Sequence, residues 1–254
     1  MPEAPTTLQP LSLLRRFDTP TVCNVIELFD VRPRNDGFMD RSIKACFPRM
    51  PPIVGYATTA TFRSAQPAEK GDVYSSLVDQ VQRNLEEIPT PRIVVFQDLD
   101  GEPAAATFGE VMCTVYQSFD CVGLITSGAA RDLEQVERLG FACFASSTIA
   151  SHGYGRTIDV NVPVTVGGVS IRPGDVIHAD SNGVTTVPRD LLPEIALACQ
   201  KFMDAEALIL DYARAGDPTV DGLRKAQAAC VRRFGEIPEE VRRQLRPEAA
   251  RTGS

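Results

Sequence analysis

Two short segments carry the side chains best able to do chemistry: Gly109-Glu110-Val111-Met112 and Gly128-Ala129-Ala130-Arg131-Asp132. A carboxylate can hold one position of a hard cation such as Mg2+ or Mn2+, which keeps several waters and borrows further ligands from its substrate. A neighbouring guanidinium can take a substrate carboxylate in bidentate fashion. Glycines at positions 109 and 128 let backbone approach a ligand closely. Each segment opens a predicted helix, and the first N–H groups of a helix lack intrahelical partners and favour an anion. Acidic residues also suit a helix N-terminus through the dipole alone, so spacing by itself leaves a purely structural role open for Glu110 and Asp132.

The elements that must position these segments alternate. Val73, Leu77, Val81 and Leu85 recur at i, i+4 and predict a helix ended by Pro89. Arg92–Leu99 reads as a strand, Gly109–Phe119 as a helix and Cys121–Thr126 as an apolar strand. Asp132–Leu139 then reads as a helix closed by Gly140, and Phe141–Ser146 as another apolar strand. This alternation predicts parallel strands buried on both faces, with ligands outside their carboxyl ends. If strands 92–99 and 121–126 are neighbours, Glu110, Arg131 and Asp132 converge on one crevice.

The flanks are of other kinds. Residues 1–17 are rich in Pro and Thr and read as an arm; Asp18-Thr19-Pro20 opens a short helix reaching about Phe29. The proline-bearing stretch 31–52 reads as irregular, and Ile53–Phe62 as a strand. A hairpin is predicted around Gly167-Gly168 and a second around Ser181-Asn182-Gly183, so a β-rich region joins the α/β region in one layered domain. Residues 191–245 read as helices broken at Gly216-Asp217-Pro218, and 246–254 as a disordered tail.

Composition narrows the function classes. With 254 residues, 43% hydrophobic and 23% charged, the chain can bury one substantial core plus a helical extension. A net charge of −7 and a pI near 5.0 argue against nucleic acid as a partner. No run of about 18 apolar residues predicts a membrane span. The N-terminus lacks the basic-then-apolar pattern of a secretory signal, so a cytoplasmic protein is expected. The seven cysteines show no Cys-x-x-Cys pair, and Cys113, Cys121, Cys143 and Cys199 lie in apolar stretches, reading as buried hydrophobes. None of Lys44, Lys70, Lys201 and Lys225 lies at the predicted crevice, which disfavours a Schiff-base route. His152 could line the pocket, although a surface or structural role is the better reading; His178 reads as structural, Asp175 and Asp180 as turn residues, and Met112, on residue type, as core.

The ordered set Gly109-Glu110, Gly128-Ala129-Ala130-Arg131-Asp132, Asn161-Val162-Pro163-Val164, Gly167-Gly168-Val169, Pro173-Gly174-Asp175 and Ala179-Asp180 through Gly183-Val184 resembles the RraA-like family, over roughly residues 18–215. That family includes class II 4-hydroxy-4-methyl-2-oxoglutarate / 4-carboxy-4-hydroxy-2-oxoadipate aldolases, the regulator of ribonuclease E activity, and proteins labelled dimethylmenaquinone methyltransferases. The resemblance implies an α/β/β/α sandwich of swivelling-domain type over 18–190, with a C-terminal helical extension. It also implies a homotrimer or dimer of trimers with sites between subunits. It implies that Asp132 is the direct ligand of Mg2+ or Mn2+ and that Arg131 contacts a 2-oxo acid. The Gly109–Met112 backbone would hold the substrate carboxylate, and Glu110 would act through water. Glu206, on the C-terminal helix, would reach a neighbouring subunit's site through water. Glu110 stands where characterised aldolases carry Asp, and Asn24 where many members carry Asp. The activity implied is retro-aldol cleavage through a pyruvate enolate, or oxaloacetate decarboxylation by the same electron sink. A non-catalytic ribonuclease-binding regulator, and a metal-dependent lyase or hydratase for another hydroxy acid, are the alternatives; the long C-terminal helix favours an enzyme.

Overall fold

The computed structural model describes residues 8–246. In chain order its first elements are α1 (Leu8–Leu14), α2 (Thr19–Glu27), β1 (Lys44–Ala45), β2 (Ile53–Arg63), α3 (Leu77–Glu87), β3 (Arg92–Asp98), β4 (Ala106–Phe108) and α4 (Glu110–Ser118). There follow β5 (Cys121–Thr126), β6 (Ala129–Ala130), α5 (Leu133–Leu139), β7 (Ala142–Ala145), β8 (Ser147–Thr148) and β9 (Arg156–Val160). The remainder is β10 (Val164–Val166), β11 (Val169–Ile171), β12 (Val176–Asp180), β13 (Gly183–Val187), α6 (Leu192–Arg214) and α7 (Val220–Leu245).

The described residues divide into two compact units, one of residues 35–189 and one made of both flanks, 8–34 with 190–246. In the first, the main sheet runs β1-β7-β5-β3-β2-β12-β13, with β9 also paired to β2. β2, β3, β5 and β7 are parallel, as the strand–helix alternation predicts. Period-two alternation along these strands feeds two cores. Ile93, Val95 and Ile125 face the hairpin β10–β11 through Val164, Val166, Val169 and Ile171. Val94, Phe96 and Leu124 face the helices through Val81, Cys113, Tyr116 and Val136. Helices, main sheet and hairpin are thus stacked as layers, and the α/β class with C-terminal helices is what the structure shows.

The helix starts follow from side chains. Asp18 caps α2, its Oδ1 accepting from the Thr21 N–H at 2.8 Å, with Pro20 in the first turn. The predicted helix at 73–85 begins later, at Leu77, because Ser76 and Asp79 form a capping box there.

The helical unit departs from the sequence reading. Residues 8–14, read as part of an arm, form α1, and Leu11, Leu14 and Phe17 are buried. Their i, i+3 spacing gives an apolar stripe, and α1 and α2 both pack on α6. By contact, residues 18–34 group with the C-terminal helices. The rest of the predicted arm (1–7) and all but Arg246 of the predicted tail lie outside the described residues. No described helix is long and apolar enough to cross a membrane. All seven cysteines are free and five are buried, as their apolar surroundings predict; burial pushes the Cys46, Cys121 and Cys199 thiols up to about 12.

Candidate functional site

The two segments singled out by residue type come together. Strands β3 and β5 are parallel neighbours, Val95 beside Ile125 and Phe96 beside Thr126. Beyond their carboxyl ends lies a second, three-stranded parallel sheet, β4-β6-β8. Ala106 pairs with Ala129 and Phe108 with Ala130. The Arg131 N–H donates to the Phe108 carbonyl at 3.3 Å. The two segments are thus tied to each other immediately before Gly109 and Arg131. Small side chains are what allow it: Ala129 and Ala130 are wholly buried in the middle strand.

At the end of this small sheet, the Glu110 backbone N–H donates to Asp132 Oδ2 at 3.0 Å, and Arg131 Nε lies 3.8 Å from the same oxygen. Asp132 stands at the N-cap position of α5 in the left-handed region, at φ 55° and ψ 38°, and its side chain makes no cap bond to that helix. Asp tolerates that conformation better than most residues, and it turns the carboxylate toward α4 instead of along its own helix. Gly109 is extended at φ −154°, so its glycine is required by space and not by backbone angle. A Cβ there would stand 2.4 Å from Asp132 Oδ2 and 3.0 Å from Arg131 Nε. At Gly128 a Cβ would stand 2.0 Å from Thr107 Oγ1 and 3.0 Å from Asp98 Oδ2. Asp98 is a buried carboxyl behind the turn, pushed up by burial.

A pocket opens beside this contact, lined by Thr107, Phe108, Gly109, Val111, Met112, Arg131 and His152, with Ala106 behind. The first intrahelical bond of α4 runs from the Cys113 N–H to the Gly109 carbonyl. The N–H groups of Val111 and Met112 precede it and belong to the free first turn. Four predicted site residues (Gly109, Val111, Met112 and Arg131) therefore line one pocket, with Asp132 held at its edge. Glu110 is exposed and joins Asp132 through its backbone N–H.

Met112, read by type as core, is half-buried, packing against the core and also lining the pocket from the free first turn of α4. His152, read as a surface or structural residue that could line the pocket, is exposed and lines it. The turn from His152 to Gly155, closed by the Gly155 N–H to the His152 carbonyl at 2.9 Å, carries the ring there. Its Nδ1 lies 2.9 Å from the Gly153 carbonyl, which favours the proton on Nδ1 and leaves Nε2 as acceptor. Thr107 is a lining residue the sequence did not mark; its only signal is its place before Gly109. His178 is buried in β12, and Asp175 and Asp180 accept the Arg172 and Asn182 N–H groups in turns, as read.

Glu206 lies on α6 in the helical unit and is half-buried. Burial, and then the charge of Asp18, push its carboxyl above the usual range. Among the described residues no group of three His, Cys, Asp or Glu could hold a metal.

Residues 19–186 match a family model described as RraA-like, Aldolase/RraA. A Halalkalibacterium halodurans protein named "Putative 4-hydroxy-4-methyl-2-oxoglutarate aldolase" is 34% identical over 101 residues, 39% of this chain and 48% of that protein. Protein DlpA of Legionella pneumophila is 26% identical over 145 residues, 56% of this chain but 22% of its own length. The chain thus spans less than half of either curated relative. Among solved structures, an uncharacterized Pseudomonas syringae protein has a TM-score of 0.69 at 21% identity, covering 89% of this chain and 95% of its own. Streptomyces coelicolor RraAS2, described as an unusual member of the RNase ES inhibitor RraA protein family, has a TM-score of 0.61 at 22% identity. It covers 80% of this chain and 96% of its own, and at such identity the likeness is one of fold.

Proposed function

This chain belongs to the RraA-like family, and from that premise we propose that it is a divalent-metal-dependent carbon–carbon lyase acting on 2-oxo acids. The substrates proposed are 4-hydroxy-4-methyl-2-oxoglutarate-like acids, cleaved by retro-aldol reaction, and oxaloacetate, decarboxylated. One observation carries the reading: Asp132, Arg131 and the start of α4 meet around a single carboxylate oxygen at the mouth of a small pocket.

The donor set suits a hard cation. One carboxylate, kept accessible by a glycine whose Cβ would collide with it, fits Mg2+ or Mn2+ with remaining ligands from water and substrate. It does not fit a structural zinc, which needs four protein ligands. When bound, such a cation supplies the electron sink for a 2-oxo acid, lowering the energy of the enolate left by cleavage.

The chain's own residues do the rest. Arg131 and the Val111 and Met112 N–H groups bind the substrate carboxylate and fix its 2-oxo end beside Asp132. Cleavage needs a base for the 4-hydroxyl proton as the C3–C4 bond breaks, and the enolate so formed becomes pyruvate when the protonated base or water returns a proton to C3. His152 Nε2 and, through water, the Glu110 carboxylate are the acceptors this chain offers. The apolar walls of Phe108 and Met112 limit water at this end of the pocket, which strengthens Arg131's hold on the substrate carboxylate. Glu206 of a neighbouring subunit in a homotrimer or dimer of trimers is proposed to complete the site.

Pyruvate release, coupled to lactate dehydrogenase, tests this. With Mg2+ or Mn2+, turnover of oxaloacetate or 4-hydroxy-4-methyl-2-oxoglutarate is expected, lost on adding a chelator and restored by excess metal. No metal-dependent turnover of either acid would overturn the assignment and leave a non-catalytic binding role.

A further inference from the structure

A second pocket adjoins the first, lined by Phe62, Tyr74, Met112, Arg156, Gln80 and the first residues of α3. Two of its lining residues each carry a buried polar atom without a protein partner. Gln80 is wholly buried; its Oε1 accepts from the Tyr116 hydroxyl at 2.6 Å, and its Nε2 has no partner. Arg156 donates from Nη1 to the carbonyls of Gln66 and Tyr154, while its buried Nε meets no acceptor. Among the described residues no carboxylate pairs with Arg156. The one acidic group at this end of α3, Asp79, accepts from the Ser76 N–H and hydroxyl and is spent on the helix cap.

An arginine on the pocket wall with no carboxylate partner among the described residues, beside a buried amide with an unspent N–H, favours an acceptor arriving in that pocket. The acceptor that suits a guanidinium together with a neutral amide is a carboxylate. The surrounding Phe62, Tyr74 and Met112 would take an aliphatic chain leading to it. The two pockets share Met112 as a wall, and the closed turn at 152–155 gives His152 to the first and Gly155 to the second. Methionine is unbranched and adaptable, a wall that a substrate chain can displace.

We infer that this second pocket is the subsite for the far carboxylate of an extended 2-oxo dicarboxylic acid, read by Arg156 and Gln80. The inference rests on the 2-oxo acid reading of the first pocket. Arg156 and Gln80 select for length and terminal charge, and Met112 divides the end that reacts from the end that is recognised.

Equilibrium binding tests it independently of turnover, using matched non-cleaved acids with Mg2+ or Mn2+ throughout. The pairs are 2-oxoglutarate with 2-oxopentanoate, and 2-oxoadipate with 2-oxohexanoate. Wild-type protein should prefer the dicarboxylate of at least one pair by about tenfold or more, the scale of a charged hydrogen-bonded contact. In Arg156→Met that preference should collapse toward unity, and Arg156→Lys should restore part of it. No preference in the wild type, which needs no variant to measure, would overturn the subsite. So would an unchanged preference in Arg156→Met, or no binding of any of the four acids. A preference that collapses as expected, in a protein that turns over neither lyase substrate, would sink the proposed reaction and leave the subsite standing.

Discussion

At the residue scale the turn works through one oxygen. Asp132 Oδ2 takes the Glu110 N–H and faces Arg131 Nε, and the left-handed backbone of Asp132 makes this possible. That backbone complicates the obvious substitution. Alanine there removes the carboxylate and also strains the turn, whereas asparagine tolerates the left-handed region and keeps an oxygen for the Glu110 N–H. Asp132→Asn is therefore expected to melt within about 2 °C of wild type, corresponding to a surface change of under ~0.5 kcal/mol, while losing over ~100-fold in turnover. Calorimetry and the pyruvate assay read the two effects separately. Turnover retained in Asp132→Asn would remove this carboxylate from the chemistry. The pairing of residue types at 109–112 and 128–132 was legible in the sequence. The left-handed turn was not, because Asp at a predicted helix start is ordinarily an extended cap.

At the element scale the small β4-β6-β8 sheet decides the geometry. The main sheet brings strand ends near each other, but the small sheet sets the register of Phe108 against Ala130 and so of Gly109 against Arg131. Two glycine substitutions separate the site from this support. Gly109→Ala collides with the Asp132 and Arg131 side chains, and Gly128→Ala with Thr107 Oγ1 inside the small sheet. The first should abolish turnover with little loss of stability. The second should lose turnover and also destabilise by about 1–3 kcal/mol, the range for overpacking a filled interior. Urea unfolding beside the pyruvate assay would show this, and equal stability losses in the two would contradict it. Strands this short carry almost no sequence signal: two alanines, or three residues after a loop, have no measurable period.

At the scale of the whole molecule, Glu206 links stability to pH. It lies half-buried in the helical unit, where burial and Asp18 raise its carboxyl above the ordinary value. Below the ordinary carboxylate range it is protonated folded and unfolded, so there is no penalty. As pH rises through that range the unfolded chain ionises first, and the folded state loses stability until Glu206 ionises too. Glu206→Gln should therefore raise Tm at pH 7 and leave it nearly unchanged at pH 4. A lower Tm at pH 7 would mean that the charged form gains a favourable partner. If turnover falls while Tm rises, Glu206 is kept for function at a cost in stability. The sequence by itself determined the parallel α/β order, the two hairpins and the segments carrying the chemistry, because periodicity, turn glycines and residue type are local properties. Only the tertiary structure decided that residues 8–34 join the C-terminal helices, that Met112 and His152 face the pocket, and that Arg156 and Gln80 lie beside it. Those facts depend on which surfaces meet across long sequence separations, and no local pattern encodes that meeting.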